Sequence, residues 1–373
     1  MHNEYQCVQN SSKYFQCPAD EFPMKIGIFD HLDTRGIDLA QFYEDRLKLV
    51  SAYDRLGFHA YHVAEHHFTP LGLSPSPSVY LSAIAQRTQK ILFGPLVFTL
   101  PLYHPLRLAD EICMLDHMSN GRLQLGIGRG VSPFEVGYFG VNHEASQNIY
   151  LECFEVLMQS LTQPEVNHHG KNFQFENVPI VLKPLQKPHP PLWYGIGHPE
   201  GVDWCVENRV NAVVNGPLER VKLITDRYKE RWEASKREGE RMPLVGTSRH
   251  VIISHSHQEA QELGQSAYEK WHSSFMHLFK LHNSQPQFNA FPNSFKGASD
   301  AGLIIAGKSA EVLERLRHEV KNAGVNYLLA RFAFGNLSLQ QSLTSVELFA
   351  KEVMPSLKKL NDPLHTLGIP QSA

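Results

Sequence analysis

"AYHVAEHHFTP", residues 60–70, is the stretch on which the fold reading turns. A short apolar run passes into an acid and two adjacent histidines, and Pro70 ends the segment. An apolar run without strict alternation reads as a strand buried on both faces, the habit of a parallel sheet. Glu65, His66 and His67 then stand at its carboxyl end, the end at which parallel barrels place their chemistry. Taken by themselves they fit a metal site, an acid/base site or an ordinary polar strand end.

The same texture recurs outward in both directions. "MKIGIFD" (24–30), "ILFGPLVFTL" (91–100), "RLQLGIGRG" (122–130), "LWYGIG" (192–197), "NAVVNG" (211–216), "HVIIS" (250–254) and "VNYLLARFAF" (325–334) read as further strands. Helical spacing of apolar residues predicts helices over 38–56, 77–88, 105–119, 145–162, 309–323 and 339–359. Residues 166–182 read as an inserted hairpin, 183–191 as a proline-rich linker and 281–303 as a long loop. Eight strands alternating with helices predict an α/β chain, a single (β/α)8 TIM barrel over 23–362 with the hairpin and the long loop inserted. A polar extension at 1–22 and a tail at 363–373 flank it. The strand ends of interest become Asp30–His31, Glu65–His67, Thr99–Pro101, Gly128–Gly130, Gly195–His198 and Arg331–Gly335.

Composition narrows the function classes. The 373 residues are 42% hydrophobic and 20% charged with a formal net charge of -3, which gives no reason to expect nucleic acid or an anionic membrane as partner. Five cysteines without CxxC spacing indicate neither a disulfide framework nor a zinc ribbon. No apolar run is long enough to span a bilayer, and the first residues lack the basic-then-apolar pattern of a secretory signal, so a cytoplasmic location is expected.

Six segments in order carry a more specific signal: "GFHAYHVAEHHF" (57–68), "LPLYHPLRLADEICMLDHMSNGRLQLGIGRG" (100–130), "FGVN" (139–142), "KPLQKPHPPLW" (183–193), "GKSAEVLERL…AGVNYLL" (307–329) and "ELFAKEVMPSLKK" (347–359). Together they resemble the bacterial luciferase-like monooxygenases, flavin-dependent enzymes on a TIM barrel. The resemblance implies a two-component reaction, in which a separate flavin reductase supplies reduced FMN that this protein uses with O2 on a small organic substrate. It implies that His66 is the acid/base at the flavin, with His67 its neighbour and Glu65 an orienting partner. It implies that Arg129 holds the FMN phosphate through its bidentate fork. It also implies a non-prolyl cis peptide, Leu96–Val97, behind the flavin ring, and a homodimer through residues around 77–119. Glycines at strand ends, here Gly128, Gly130 and Gly197, let a flat or phosphorylated ligand approach the backbone.

Departures from the family pattern keep alternatives open. Gln147 stands where luciferase has a second basic phosphate ligand, and His198 and Gly201 where it has hydroxyl residues; amide groups near Glu200 are the alternative phosphate donors. Gly128 replaces luciferase's reactive cysteine. One charge fewer leaves the deazaflavin F420, and a dehydrogenase or reductase activity, as the alternative, and a non-catalytic flavin binder as a third reading. Asp30 and His31 are candidates for the substrate pocket. Phe288, Phe291 and Phe295, folded inward from the long loop, would favour an apolar substrate. The rival class is a metal-dependent barrel hydrolase using Asp30, His31, His66 and His67. Its first strand lacks the usual H-x-H, so no metal is expected.

Overall fold

The computed structural model describes residues 24–33, 36–286 and 291–360. Its strands, in chain order, are β1 (Lys25–Asp30), β2 (Ala60–Val63), β3 (Leu92–Pro95), β4 (Phe98–Thr99), β5 (Leu125–Gly128), β6 (Glu165–His169), β7 (Gln174–Pro179), β8 (Leu192–Gly195), β9 (Asn211–Val214), β10 (Val245–Ile253), β11 (Ile304–Gly307) and β12 (Tyr327–Arg331). The helices are α1 (Leu39–Leu56), α2 (Pro77–Arg87), α3 (Pro105–Met118), α4 (Pro133–Tyr138), α5 (Ser146–Thr162), α6 (Glu200–Glu207), α7 (Leu218–Ser235), α8 (His257–Phe275), α9 (His277–Leu281), α10 (Phe295–Asp300), α11 (Ser309–Ala323), α12 (Leu339–Leu348) and α13 (Met354–Lys358).

Parallel pairing runs β3-β2-β1-β12-β10-β9-β8-β5-β4, and a parallel bridge between Phe93 and Leu123 brings the two ends together. The third barrel position is one strand in two pieces: β3 pairs with β2, β4 pairs with β5, and the cis peptide Leu96–Val97 lies between them. Counted that way the barrel has the eight expected positions, and the β6–β7 hairpin stands apart as a two-stranded antiparallel sheet.

Side chains of a strand alternate between barrel interior and helix layer. Phe29, Ala64, Trp193, Val213, Tyr327 and Leu329 form one interior cluster, with Leu96 packed on it. Their alternates Ile28, Val63, Leu192, Ala212, Val214, Leu328 and Ala330 belong to the larger core beneath the helices. Helix ends follow local chemistry: Asp38 accepts from the Gln41 amide to cap α1, and Gly57, at φ 79°, closes it in a left-handed turn.

Three expectations need correction. The strand expected at 250–254 begins at Val245; "VGTSRHVII" looks too polar for a core strand, yet every residue is buried, and Arg249 is answered by Glu319 at 3.1 Å. The stretch 281–303 is not a continuous loop. It closes α9 and forms α10, capped by Ser294, and leads into β11, which adds to the far end of β10. The short helix α4, inside what reads as a strand-to-helix connection, was not expected at all. The extension at 1–22, the tail at 363–373 and Phe288 lie outside the described residues.

Where β3 meets β5 the backbones approach too closely for side chains. A Cβ on Gly94 would stand 1.9 Å from the Gln124 carbonyl oxygen, and one on Gly126 2.1 Å from that of Pro95. Gly94→Ala should therefore force this seam apart and destabilise the protein by about 3 kcal/mol. Urea unfolding checks this; a loss within about 0.5 kcal/mol would show that the seam yields freely.

Candidate active site at the carboxyl ends of the strands

Continuing the alternation past the apolar interior cluster gives a polar layer. His31 follows Phe29, His66 follows Ala64, Asn215 follows Val213, and Arg331 follows Leu329, each two residues on. Ser248 and His250 are the register partners of Leu329 and Arg331. The rings of His31 and His66 lie 5.6 Å apart, and Trp271 of α8 lies 5.9 Å from His31. Trp271 Nε1 donates to His31 Nδ1 at 3.3 Å, so a neutral His31 carries its proton on Nε2. Burial, and then the Arg331 charge, hold the His31 pKa well below the ordinary value.

The same alternation separates Glu65, His66 and His67. Adjacent strand residues face opposite ways, and here each histidine has its own carboxylate. His66 Nδ1 lies 3.1 Å and 3.3 Å from the two oxygens of Glu135, which also accepts the His67 amide at 2.7 Å. Burial opposes a charge on His66, but Glu135 outweighs it and the pKa is raised. Burial likewise works against a charged Glu135, and His66 outweighs it, so that carboxyl is held below its ordinary range. Glu65, expected to orient His66, instead faces away from it. Its side chain is fully buried and binds His67 Nε2 at 3.0 Å, the Thr99 amide at 3.2 Å and the Tyr103 hydroxyl at 2.8 Å. Glu135 is thus the partner that sequence reasoning missed.

A second group of residues forms a cradle across the barrel. The Leu96–Val97 peptide is cis, as the resemblance implies, and Val97 rests on Gly128, where a Cβ would stand 2.5 Å from its Cγ2. Gly130 has φ 88° and abuts Thr99. Arg129, half-buried, has no hydrogen bond or ion-pair partner among the described residues. A Cβ on Gly195 or Gly197 would meet nothing within 4 Å, so the backbone there is open to a close ligand. Arg220, absent from the sequence reading, donates to the Gly197 carbonyl at 2.7 Å and so steadies this loop beside His198. The amides of Gly201 and Val202 at the start of α6 are engaged by the His198 and Pro199 carbonyls at 3.1 Å, which leaves fewer donors there than the sequence suggested. Gln147 is exposed in the first turn of α5 and bonds to none of this cradle. A half-buried guanidinium and an open glycine loop suit a phosphate-bearing flat ligand such as a flavin nucleotide.

Asp30 falls out of the pocket. It faces the helix layer, accepting from the Leu32 amide at 2.9 Å and the Tyr61 hydroxyl at 3.0 Å, with Arg46 of α1 at 3.5 Å. Asp33 lies on the same guanidinium at 3.6 Å and accepts from the Gly335 amide; burial raises its pKa to about 7. The four ligands of the metal reading therefore diverge, and among the described residues no three His, Cys, Asp or Glu side chains are placed to share an ion. From the expected loop, Phe291 packs on Trp271 with ring centres 5.0 Å apart, and Phe295 closes on Gly264 of α8. A surface cleft of about 810 Å³ bordered by Glu219, Asp300 and Glu314 lies outside the barrel and shares no residue with this site. Among the described residues no helix is long and apolar enough to cross a membrane.

The chain is similar along most of its length to known proteins. The family model described as luciferase-like monooxygenase matches residues 24–327. An uncharacterised protein of Sinorhizobium fredii, y4wF, is 42% identical over 331 residues, covering 89% of this chain and 96% of that protein. The oxygenase component of flavin-dependent trigonelline monooxygenase from Acinetobacter baylyi is 26% identical over 353 residues, covering 90% and 96%. The oxygenating constituent of 3,6-diketocamphane monooxygenase from Pseudomonas putida, solved with FMN, superposes with a TM-score of 0.75 at 20% identity, covering 90% of this chain and 99% of that one. The chain belongs to the luciferase-like monooxygenase family.

Proposed function

We propose that this chain is the oxygenase component of a two-component monooxygenase that takes reduced FMN from a separate flavin reductase and uses O2 on a small, largely apolar organic substrate in the cytoplasm. The observation that carries the reading is His66, fastened through Nδ1 to Glu135 with Nε2 left for a ligand, on the same rim as the unpaired Arg129. Bound reduced flavin would supply the electrons that activate dioxygen. The chain's own residues do the rest. Arg129 binds the phosphate, Leu96–Val97 backs the ring, and His66 holds or gives a proton at Nε2. Trp271 and Phe291 exclude water from the opposite side. Exposed Val79, Met114 and Met118 on α2 and α3 support self-association through those helices. A barrel of this kind also suits F420, and Gln147 in place of a second basic phosphate ligand favours keeping that cofactor, with a dehydrogenase or reductase activity, as the second reading.

Anaerobic titration separates these. Reduced FMN should bind more tightly than reduced F420, and mixing with oxygenated buffer should return the oxidised spectrum more slowly than for free flavin. F420 preference would replace the first reading with the second. Arg129→Met should lose about 1.5–3 kcal/mol of reduced-FMN binding, on the order of tenfold to a hundredfold in Kd. An unchanged Kd would remove Arg129 from the phosphate site.

His66→Ala should keep reduced-FMN binding and lose turnover. Because the raised His66 pKa depends on Glu135, the charged imidazole that this pairing favours is lost as pH rises through the raised value. In Glu135→Gln burial is no longer outweighed, so the ring should titrate at a lower pH than in the wild type. Proton NMR of the His66 ring reads this directly, and an unshifted titration would sink the pairing.

A further inference from the structure

Among the described residues three arginines are deeply buried, and their surroundings differ in one respect. Arg46 is met by Asp30 and Asp33, and Arg249 by Glu319 at 3.1 Å. Arg331, at the end of β12, is 3% exposed and has no carboxylate in contact among the described residues. Its Nη2 donates to Ser248 Oγ at 2.8 Å, and that hydroxyl donates to Asn215 Oδ1 at 2.5 Å. Its Nε and Nη1 have no hydrogen-bond partner among the described residues. A buried charge with no carboxylate in contact is costly, and since Ser248 takes only one N–H of Nη2, the other N–H together with the open donor beside it still offers one fork to a two-oxygen acceptor.

The surroundings say what carries those oxygens. Strand alternation turns Arg331 into the barrel beside His250, its register partner, whose Nε2 is also unpartnered and buried. The guanidinium lies over the Phe29 ring at 4.6 Å and near Trp271 at 5.9 Å, and Phe291 backs Trp271. His31, its Nδ1 engaged by Trp271, presents Nε2–H as a neutral donor between this group and His66. The walls are aromatic, and the carboxylates that act on this cation through space, Asp33 and Asp30, are in contact with Arg46 instead. Arg129 stands at the end of β5, with β10, β9 and β8 between it and β12 in the sheet order, so the two guanidinium groups occupy different parts of the rim.

We propose that Arg331, with His31 and His250, forms a substrate subsite that binds a carboxylate borne on an apolar or aromatic body, and so presents that body to the His66 side of the barrel. The oxygenated substrate is then an organic acid, not a neutral hydrocarbon or terpene. That this ligand is the substrate rests on the flavin-dependent reading; the anion site itself does not.

Benzoate and its neutral isostere benzamide test this by calorimetric titration of the full chain, with and without reduced FMN. Benzoate should bind at least about tenfold more tightly than benzamide. Arg331→Met should erase that preference while leaving benzamide binding and the reduced-FMN Kd unchanged. Arg331→Lys, which keeps the charge without the fork, should retain only part of the preference. The wild-type comparison stands even where a variant fails to fold. Equal affinity for the two probes in the wild type would overturn the subsite. So would a benzoate preference that survives in Arg331→Met, or an Arg331→Met chain that loses reduced FMN instead, which would reassign the cation to the cofactor. Benzoate preference without reduced-flavin binding would sink the flavin reading and leave the anion site standing.

Discussion

Neighbouring residues on a strand cannot serve the same face, and nearly every polar group on this rim is placed by that two-residue alternation. It separates Asp30 from His31: one joins Arg46 in the helix layer, the other faces His66 across the barrel mouth. It separates Arg249 from His250 and Arg331, sending one cation outward to Glu319 and another inward. At His66 and His67 it makes two adjacent imidazoles unable to share a ligand, so each is held by a different carboxylate. The site owes its order to this sorting more than to any single contact.

The sorting also explains what could be read from the chain beforehand. Buried parallel strands write themselves as short apolar runs, so the barrel, its hairpin and most helix spans were legible. Strand ends were legible in turn, and with them His31, His66, Arg129 and Arg331 as rim residues. Polar residues buried by pairing were not, since Thr247, Ser248 and Arg249 look like a loop until Glu319, seventy residues on, is brought against them. β10 was therefore read too short, and the four residues of β11, directly after the stretch rich in Asn, Ser and Gly, were not read as a strand.

Glu135 was missed for a related reason. Its helix, six residues long, is too short to show a period. A signal was present: Ser132 and Glu135 have the spacing of a capping box, and the Ser132 side chain does accept from the Glu135 amide. The carboxylate, however, turns to the histidines of β2's end instead of back to the serine, a choice only the tertiary structure makes. Arg220 was likewise invisible, because nothing in "GPLERVKL" says that its guanidinium reaches back to Gly197.

The seam between β3 and β5 divides the rim by how freely it can vary. On that side Gly94, Gly126 and Gly128 are pressed against backbone or against Val97, so no larger residue is sterically available. On the opposite side, β10 and β12 are overlaid by α8, the segment around Phe291, and α10, joined by connections that can change in length without touching the barrel's closure. A lineage built on this plan would diversify by editing the insert between β10 and β11 while the other half of the mouth stays as it is, and α11, whose Glu319 answers Arg249, stays with it. An engineer wishing to change what the protein accepts would randomise that insert and leave the glycine seam alone.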